Sequence, residues 1–358
     1  MREISLPSEQ SVTVVIPAYN LEKYLPQCVH SVQHQSYDGL TEVIILDDGS
    51  TDQTLRVAQE LAAQSKNIRV FTQTNGGRVA ARNRLLELAK TEFIAWIDAD
   101  DMATTDWLKE QVMCLANDPA LVAVSGQGYA VTAGNFPIGP IEAHPLDHDS
   151  ITQRHVSGQA NAFFQSCVTV RKSAVIAAGA YNKKFPAAED YDLWLRLAEY
   201  GRLHNINQIH LVYRIHPTSA NSTISIQQRR QGWQSANEAR EKLGIDPLVW
   251  VEASIPAPKK DDWNRRIYWL NIALKSGNSW TGLQMAIPAW RRHPTSLVII
   301  GMLIVASLDS VLFLGNRTDR FRVGERWEIN ALPKISFFKG ARWGVRVLRS
   351  FRRSLPAA

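Results

Sequence analysis

At 358 residues, with 45% hydrophobic and 21% charged residues, the chain has the composition of a folded globular protein, which excludes a disordered or fibrous one. The formal net charge of +6 is unevenly distributed, because residues 317–358 hold eleven Lys/Arg against three Asp/Glu, a balance of +8, and residues 1–316 therefore sum to −2. A slightly acidic body without a nucleic-acid-binding motif argues against a nucleic-acid partner. Cys28, Cys114 and Cys167 have no metal-ligand spacing and cannot all pair, which favours a reducing compartment over a disulfide framework.

The N-terminal part of the chain alternates between apolar runs of strand length and segments with helical spacing. β-Strands are predicted at 12–16, 42–46, 68–72 and 93–97, and helices at 21–32, 55–62 and 78–89. This alternation indicates βαβ units, and hence an α/β fold with a mostly parallel, Rossmann-like sheet and helices on both faces. A further strand is expected at 121–125, and no GxGxxG or Walker A sequence is present.

Polar side chains gather where three of the predicted strands end. Tyr19 and Asn20 follow the first strand, Asp47 and Asp48 the second, and the acids of 98–101 the fourth. The carboxyl ends of parallel strands share one edge of a sheet, so these clusters are expected to converge on one crevice. Crowded carboxylates repel one another unless a cation offsets their charge, which points to a divalent metal. Turn formation and helix capping are the alternative roles for the same acids.

The second half of the chain has weaker periodicity. Residues 127–158 are rich in Gly, Pro, His and Asp, so they are predicted to form a loop over the crevice. Glu189 and Asp190 precede the apolar positions of a predicted helix, and a strand at about 206–213 is expected to lead to His216. Acids in the first turn of a helix are also what the helix dipole alone favours.

Six motifs follow one another between residues 11 and 220. They are VTVVIPAYN at 12–20, EVIILDDGSTD at 42–52, NGGRVAARN at 75–83, FIAWIDADD at 93–101, AAEDYDLWLRLAEYG at 187–201 and YRIHPTSAN at 213–221. In this order they resemble the motifs of family 2 glycosyltransferases, inverting enzymes with a nucleotide-diphosphosugar transferase (GT-A) fold. Each motif alone is weak evidence, whereas all six in order argue strongly against a chance match.

By this resemblance, one part of the crevice holds the donor nucleotide. The residues implied in the base and ribose pocket are Pro17, Ala18, Tyr19, Asn20 and Asp48. The Asp48 carboxylate is implied to accept a hydrogen bond from the base, although an Asp at this position also caps turns. Arg82 is the expected phosphate contact, because a guanidinium matches phosphate oxygens, although an Arg on a helix face is also commonly solvated.

The resemblance further implies a metal site among the acids that follow the fourth strand. Asp98 and Asp100 fit the family's DxD pattern, whose acids bind the metal, Mg²⁺ or Mn²⁺, and the ribose or sugar of the donor. The adjacent Asp101 leaves the register open, with Asp100 preferred as the metal ligand over Asp98 and Asp101. The metal is expected to bridge the diphosphate oxygens and to offset the charge of the leaving group. His216 either completes the metal shell, contacts phosphate or is structural.

Asp190 corresponds to the general base of the family's Glu-Asp pair. Transfer with inversion requires a carboxylate on the face opposite the departing diphosphate, within hydrogen-bond reach of the acceptor hydroxyl. The resemblance therefore assigns to Asp190 the removal of the acceptor proton.

Three regions follow from these patterns. The predicted domains are a GT-A catalytic domain at 1–221, a helical extension at 222–293 and a membrane-associating tail at 294–358. Residues 296–314 are long enough to cross a bilayer but contain Asp309, and one crossing would place the basic end outside. A re-entrant or surface-lying helix is therefore preferred to a true span or a buried helix. Residues 334–353 carry seven basic residues and no acid among aromatic side chains, which suits an anionic lipid surface.

The resulting hypothesis is an inverting, metal-dependent glycosyltransferase that moves a sugar from a nucleoside-diphosphate donor, expected to be a UDP-sugar, to a hydroxyl of a glycan or lipid-linked glycan. It is expected to take part in cell-surface polysaccharide synthesis in bacteria, as a peripheral or monotopic protein at the cytoplasmic face of the inner membrane. A nucleotidyltransferase can share the sheet and the acidic site but needs no base at Asp190. A non-catalytic glycan- or membrane-binding scaffold with the same fold is the other alternative.

Overall fold

The computed structural model describes residues 10–158, 161–216, 226–249, 269–273, 276, 278, 281–282 and 284–287. These residues fall into two compact units. The first comprises residues 10–128 and 142–249, and the second comprises residues 129–141 with the described residues from 269 onward.

The strands and helices alternate along most of the chain. The strands are β1 (Val12–Ala18), β2 (Leu40–Asp47), β3 (Ile68–Thr72), β4 (Phe93–Trp96), β5 (Met102–Ala103), β6 (Leu121–Thr132), β7 (Pro137–Pro140), β8 (Val168–Arg171) and β9 (Arg202–Ile215). The helices are α1 (Leu25–Gln33), α2 (Thr54–Gln64), α3 (Gly77–Leu88), α4 (Trp107–Asn117), α5 (His148–Val156), α6 (Lys172–Ala177), α7 (Glu189–Leu197) and α8 (Ile226–Lys242). The α/β class predicted from the sequence is therefore confirmed.

Within the described residues, the strands form one sheet in the order β3-β2-β1-β4-β8-β6-β9-β5, with β7 paired to β6. β1 pairs in parallel with β2 and β4, and β2 pairs in parallel with β3, as the βαβ pattern predicts. Beyond β4 the pairing is antiparallel between β4 and β8 and between β6 and β8. The expectation of a mostly parallel sheet thus holds only for the half of the sheet that is built from regular βαβ units.

β1 continues through Pro17, although the proline was expected to end it. In parallel pairing, alternate residues of β1 face opposite neighbours: the Ile97 N–H donates to the Val15 carbonyl, and the Asp48 N–H donates to the Ala18 carbonyl. The backbone of Pro17 faces β4, as that of Val15 does. The pairing of β1 with β4 ends with the pair Val15 and Trp96. The missing N–H of Pro17 therefore breaks no hydrogen bond of the ladder.

Helices cover both faces of the sheet, as predicted. Val14 and Ile16 of β1 lie in a core formed with α1, α2 and α4, whereas Val15 lies in a second core formed with α3, α6 and α7. Side chains of a strand alternate between faces, so one strand of buried Val and Ile contributes to both cores. Trp194 of α7 is fully buried in the second core.

The loop predicted at 127–158 is not observed. β6 extends to Thr132, β7 pairs with it, and α5 follows with Asp147 as its N-cap, accepting a 2.9 Å hydrogen bond from the Ser150 N–H. The Gly, Pro and Asp residues of this region belong to a hairpin and a capped helix, which have little hydrophobic periodicity of their own. Within the second unit, the Asn278 side-chain amide donates to the Ile138 carbonyl of β7.

The C-terminal predictions are only partly within the described residues. α8 packs on α5 and α7 in the first unit through an apolar cluster that includes Val156, Tyr191 and Ala236. The tail predicted at 294–358 lies outside the described residues. Among the residues that the structure describes, no helix is both long and apolar enough to cross a bilayer.

Candidate active site

The loop after β1 is fixed by hydrogen bonds to the loop after β2. Asn20 adopts a left-handed backbone conformation with φ of 55°. Its N–H donates to Ser50 Oγ at 3.0 Å, and its Oδ1 accepts the Thr51 N–H at 2.8 Å. Ala18 is buried at the end of β1, whereas the Tyr19 ring is 47% exposed. Tyr19 thus offers an exposed ring at this edge of the sheet, and Asn20 braces the loop.

Asp48 is buried at the end of β2 and makes three hydrogen bonds. Its carboxylate accepts from Gln73 Nε2 at 2.7 Å and from the N–H groups of Gly76 and Gly77, both at 2.9 Å. These contacts tie β2 to the beginning of α3, where Gly77 has a positive φ of 77°. Asp48 therefore has the capping role that the sequence left open. To bind the Asp48 carboxylate as well, the N–H of a ligand would have to displace one of these three donors or bond to the same oxygen beside it.

Arg82 lies beneath the crevice and is paired with two acids. Its guanidinium donates to Glu189 Oε1 at 2.8 Å and to Asp98 Oδ1 at 3.3 Å, and its side chain is only 5% exposed. Burial lowers the pKa of Arg82, but the charges of Asp98 and Glu189 outweigh this effect and raise it above its ordinary value. Arg82 thus joins the acids after β4 to the beginning of α7, and its exposed surface for a phosphate is small.

Arg78, one helical turn before Arg82, is a site residue that the sequence analysis missed. Its Nε lies 3.4 Å from Glu189 Oε1, yet the side chain remains 44% exposed. Burial raises the pKa of the nearby Asp98, and the charges of Arg82 and Arg78 oppose this shift. Arg78 lies within the NGGRVAARN motif, but the sequence does not show that it contacts Glu189, because this contact depends on how α3 packs against α7.

The three acids after β4 have different environments. The Asp98 side chain is 38% exposed and Asp100 is 19% exposed, whereas Asp101 is buried and accepts the Arg214 N–H at 3.0 Å. Burial raises the pKa of Asp101 well above its ordinary value, and the charges of Asp100 and Asp98 add to this shift. Asp101 thus fixes β9 to the turn after β4, and Asp98 and Asp100 are the acids with access to solvent.

Asp100 contacts His216, which follows the end of β9. His216 Nε2 lies 2.9 Å from Asp100 Oδ2, and the imidazole packs against the Tyr24 ring with centroids 4.5 Å apart. Arg214 donates from Nε to the Asp100 carbonyl at 2.8 Å and so holds the same turn. The structure thus places His216 beside Asp100.

Among the described residues, the side chains at this site can hold a divalent metal only if a bound substrate supplies further coordinating atoms. The described residues contain no group of three or more His, Cys, Asp or Glu side chains arranged to hold a metal ion. Asp100 and His216 nevertheless present an oxygen and a nitrogen 2.9 Å apart, which is close enough for both to coordinate one ion. Mg²⁺ commonly uses one or two carboxylates plus substrate phosphates, so these residues fit a metal that binds together with a diphosphate.

Asp190 is the second residue of α7 and lies half-buried beside Glu189. Its Oδ2 accepts a hydrogen bond from Asn161 Nδ2 at 3.1 Å, and its Oδ1 accepts the Tyr191 N–H at 2.8 Å. Because Glu189 pairs with Arg82, which pairs with Asp98, Asp190 belongs to the same cluster of side chains as the acids after β4. Asn161 was not predicted, since it lies in a stretch with no recognisable motif.

The arrangement combines groups for two tasks. Partly exposed acids and an exposed Arg suit a metal-bound anion, and a half-buried carboxylate next to Glu189 of the Arg82–Glu189 pair can accept a proton. The same edge of the sheet carries an exposed aromatic ring that can stack on a planar ligand.

Comparisons with known proteins identify glycosyltransferases as similar proteins. Residues 13–178 match the family model described as Glycosyl transferase family 2. An uncharacterized glycosyltransferase of Haemophilus influenzae is 28% identical over 262 residues, which cover 68% of this chain and 79% of that protein. The hyaluronan synthase of Pasteurella multocida is 28% identical over 65% of this chain but only 23% of its own length. The chondroitin synthase of Escherichia coli is 28% identical over 65% of this chain and 33% of its own length.

Among solved structures, residues 1–349 of S. aureus TarS, in complex with UDP-GlcNAc, are similar in fold. The TM-score is 0.54, with 18% identity, covering 83% of this chain and 79% of that chain. The fold is thus the GT-A fold that the sequence motifs imply. The match over residues 13–178, together with these relatives and the fold, supports a transferase of the family 2 glycosyltransferase type.

Proposed function

We propose that the chain is an inverting, metal-dependent glycosyltransferase that moves a sugar from a nucleoside diphosphate to a hydroxyl of a glycan or lipid-linked glycan. The observation that carries this proposal is the Arg82–Glu189 ion pair of 2.8 Å, which links Asp98 to the residue preceding Asp190. It joins a candidate diphosphate site to a candidate base, as transfer between a donor and an acceptor requires.

A UDP-sugar is the donor we propose. The exposed ring of Tyr19 is available to stack on a base, and Asp48 lies one strand away at the same edge of the sheet. The complex of TarS with UDP-GlcNAc and the relatives that are named as hyaluronan and chondroitin synthases support a UDP-sugar and a polysaccharide product.

Asp100 and His216 are the residues that we propose to hold the metal, Mg²⁺ or Mn²⁺, with Asp98 directed to the ribose or sugar. When bound, the metal would supply positive charge that stabilises the departing diphosphate. Asp101, which was also a candidate ligand, is proposed to be structural, because it is buried and bonded to Arg214.

Arg78 is proposed as the cation that contacts the diphosphate. Arg82, the residue favoured by the sequence, already donates to two acids and is nearly unexposed. Arg78 is 44% exposed beside Asp98 and can turn its guanidinium toward a phosphate without leaving a buried acid unpaired, since Arg82 continues to pair with Glu189.

Asp190 is proposed as the general base. Its carboxylate takes the proton of the acceptor hydroxyl, and the freed oxygen electron pair forms a bond to the anomeric carbon. The bond between that carbon and the diphosphate oxygen breaks at the same time, and its electron pair leaves with the nucleoside diphosphate. Attack from the side opposite the leaving group inverts the anomeric centre.

The variant Asp190→Asn tests this assignment, with Asp149→Asn as its matched control. Asp149 is also the second residue of a helix, α5, but is exposed and lies outside the acid cluster. If the only role of Asp190 is its favourable interaction with the dipole of α7, both variants lower the free energy of unfolding by similar small amounts, about 0.3–1 kcal/mol. A general base predicts instead that Asp190→Asn alone lowers kcat by roughly 10²- to 10⁴-fold, with donor affinity measured by calorimetry retained. Unchanged turnover in Asp190→Asn would falsify the base assignment.

The released product separates the proposed reaction from its alternatives. A glycosyltransferase releases nucleoside diphosphate, whereas a nucleotidyltransferase releases pyrophosphate, and both can be measured in one chromatographic assay. Absence of any metal-dependent binding of a nucleotide sugar would support a non-catalytic scaffold.

We also propose that residues 1–221 form the catalytic domain, that 222–293 extend it with helices, and that 294–358 associate with the cytoplasmic face of a bacterial inner membrane. The seven basic residues of 334–353 support an electrostatic contribution to this association. Replacing them with Gln is expected to reduce flotation with anionic vesicles but to leave donor turnover in solution unchanged. Equal flotation of both forms would contradict the role of these charges.

A further inference from the structure

We propose that Asn161 is a positioning residue that fixes the Asp190 carboxylate for proton removal, and that His155 and Tyr191 hold Asn161 and the first turn of α7 in place. The inference rests on the proposed role of Asp190 as base. It adds Asn161 and His155, which lie outside the six sequence motifs.

The first step of the argument concerns the two oxygens of Asp190. Asn161 Nδ2 donates to Oδ2 at 3.1 Å, and the Tyr191 N–H donates to Oδ1 at 2.8 Å. With one donor on each oxygen, rotation of the carboxylate about its χ2 torsion is restrained. Each carboxylate oxygen has a second lone pair, so the group retains the capacity to accept a proton from an acceptor hydroxyl.

The second step concerns the orientation of the Asn161 amide. Its Oδ1 accepts the Phe163 N–H at 3.2 Å. A flipped amide would place its NH₂ group against that N–H and its oxygen against the Asp190 carboxylate, and both contacts would be repulsive. The contacts around Asn161 therefore select the orientation in which a donor faces Asp190.

The third step concerns what holds Asn161. His155, in the last turn of α5, is buried, and its Nε2-protonated tautomer donates to Asn161 Oδ1 at 2.9 Å. The Ala162 nitrogen lies 3.0 Å from the same Nε2, and its N–H can donate there only in the other tautomer, so the contact with Asn161 belongs to the Nε2-protonated form. The Tyr191 hydroxyl donates to the His155 carbonyl, and the two rings meet edge to face with centroids 5.2 Å apart. Since Tyr191 follows Asp190 in the chain, the contacts form a closed ring through Asp190, Asn161, His155 and Tyr191.

The closed ring of contacts is not needed to stabilise α7, so its role is sought in the function of Asp190. The stability of α7 already comes from Leu193, Trp194 and Leu197, which lie in the second core. The polar contacts at its first turn instead fix one carboxylate, and a base misplaced by about 1 Å can lose on the order of 10²-fold in rate.

The test compares Asn161→Asp with Asn237→Asp in the full chain. Asn237 also uses both ends of its amide, toward the Leu248 N–H and carbonyl, but contacts no acid of the site. In Asn161→Asp an acceptor replaces the donor that faces Asp190, so kcat is expected to fall roughly 10- to 100-fold. UDP-sugar affinity by calorimetry is expected to stay unchanged, and Asn237→Asp is expected to retain wild-type kcat.

A double-variant cycle with Asp190→Asn distinguishes positioning from general damage. If Asn161 acts through Asp190, Asn161→Asp slows the Asp190→Asn enzyme no further. Additive losses, a parallel loss of donor affinity, or wild-type kcat in Asn161→Asp would each overturn the inference. Should Asn161→Asp fail to fold, Asn161→Ser, which is uncharged and too short to reach Asp190, takes its place with the same criteria.

The cycle also separates this inference from the proposed function. If Asp190→Asn retains full turnover, the base assignment fails. If Asp190→Asn is inactive while Asn161→Asp and Asn161→Ser are fully active, only the positioning role fails.

Discussion

Arg82 and Glu189 form a buried ion pair of 2.8 Å although 107 residues separate them in the chain. The pair fixes the beginning of α7 to the middle of α3, and through Asp98 it extends to the turn after β4. Burial raises the pKa of Glu189, and the Arg82 guanidinium opposes this shift and keeps the buried carboxylate paired. The positions of Asp98 and of the proposed base thus depend on one shared cation.

Replacing Arg82 with Gln is expected to destabilise the fold, because Glu189 then remains buried without its partner. Removing one partner of a buried pair typically lowers the free energy of unfolding by about 3–5 kcal/mol. Urea denaturation measures this loss, and Arg84→Gln on the same helix is the control. Arg84 pairs with Glu87 on the surface, and such pairs contribute about 1 kcal/mol or less.

A second variant identifies the cause of the loss. In Arg82→Gln/Glu189→Gln no buried charge is left unpaired, so part of the stability should return. A double variant as unstable as Arg82→Gln alone would indicate that Arg82 contributes through its packing against Tyr181, whose ring centre lies 5.6 Å from the guanidinium carbon.

The parallel half of the sheet could be predicted because its signals are local. Strands rich in Val and Ile alternate with helical patterns, and β3 was predicted with its observed bounds, Ile68–Thr72. β6 was predicted only to residue 125, because buried polar side chains interrupt its apolar pattern. One of these is Gln127, which hydrogen-bonds to the backbone of His144.

The roles of individual site residues were harder to predict than the location of the site. The sequence indicated that acids gather at the strand ends, but it could not show that Arg82 is already paired with Glu189 while Arg78 remains exposed. Such distinctions arise from contacts between α3 and α7, which lie about a hundred residues apart, and no local pattern encodes them. The same holds for Asn161, whose contact with Asp190 spans 29 positions.

Arg78→Gln is expected to weaken donor binding with little loss of stability. A charge-assisted hydrogen bond to phosphate contributes about 1.5–3 kcal/mol, so the donor KM should rise roughly 10- to 100-fold. Steady-state kinetics with a UDP-sugar measures the change, and Arg84→Gln again serves as the control. An unchanged donor KM in Arg78→Gln would indicate that another cation of the site contacts the phosphate.

Asp100→Asn and His216→Ala are expected to weaken metal binding. After treatment with EDTA, the Mn²⁺ concentration that restores half of the activity should rise by at least about tenfold in each variant, since each loses one of two protein ligands. His204→Ala is the matched control, because His204 lies on the same strand, β9, away from the acids. Asp101→Asn should leave the Mn²⁺ requirement unchanged, and a raised requirement in this variant but not in Asp100→Asn would move the metal ligand from Asp100 to Asp101.

Acid is expected to destabilise the fold through two buried histidines. Burial lowers the pKa of His144 to about 4, with Arg154 and His155 adding to the shift, and burial also lowers the pKa of His155 to about 4 against the opposing hydrogen bond to Asn161. Between pH 4 and 6.5 the unfolded chain therefore binds more protons than the folded one, and the free energy of unfolding falls as the pH decreases through this window. From pH 8 to pH 5 the loss is about 2 kcal/mol for each histidine.

The variant His144→Phe assigns half of this loss to one residue. His144 stacks on Phe164 with ring centroids 4.1 Å apart, and a phenyl ring can occupy the same space without titrating. Urea denaturation at pH 8 and pH 5 is expected to show that the acid-induced loss of stability is about 2 kcal/mol smaller in the variant than in the wild type. If both proteins lose the same stability between these pH values, His144 is not held neutral in the folded state and other groups cause the acid sensitivity.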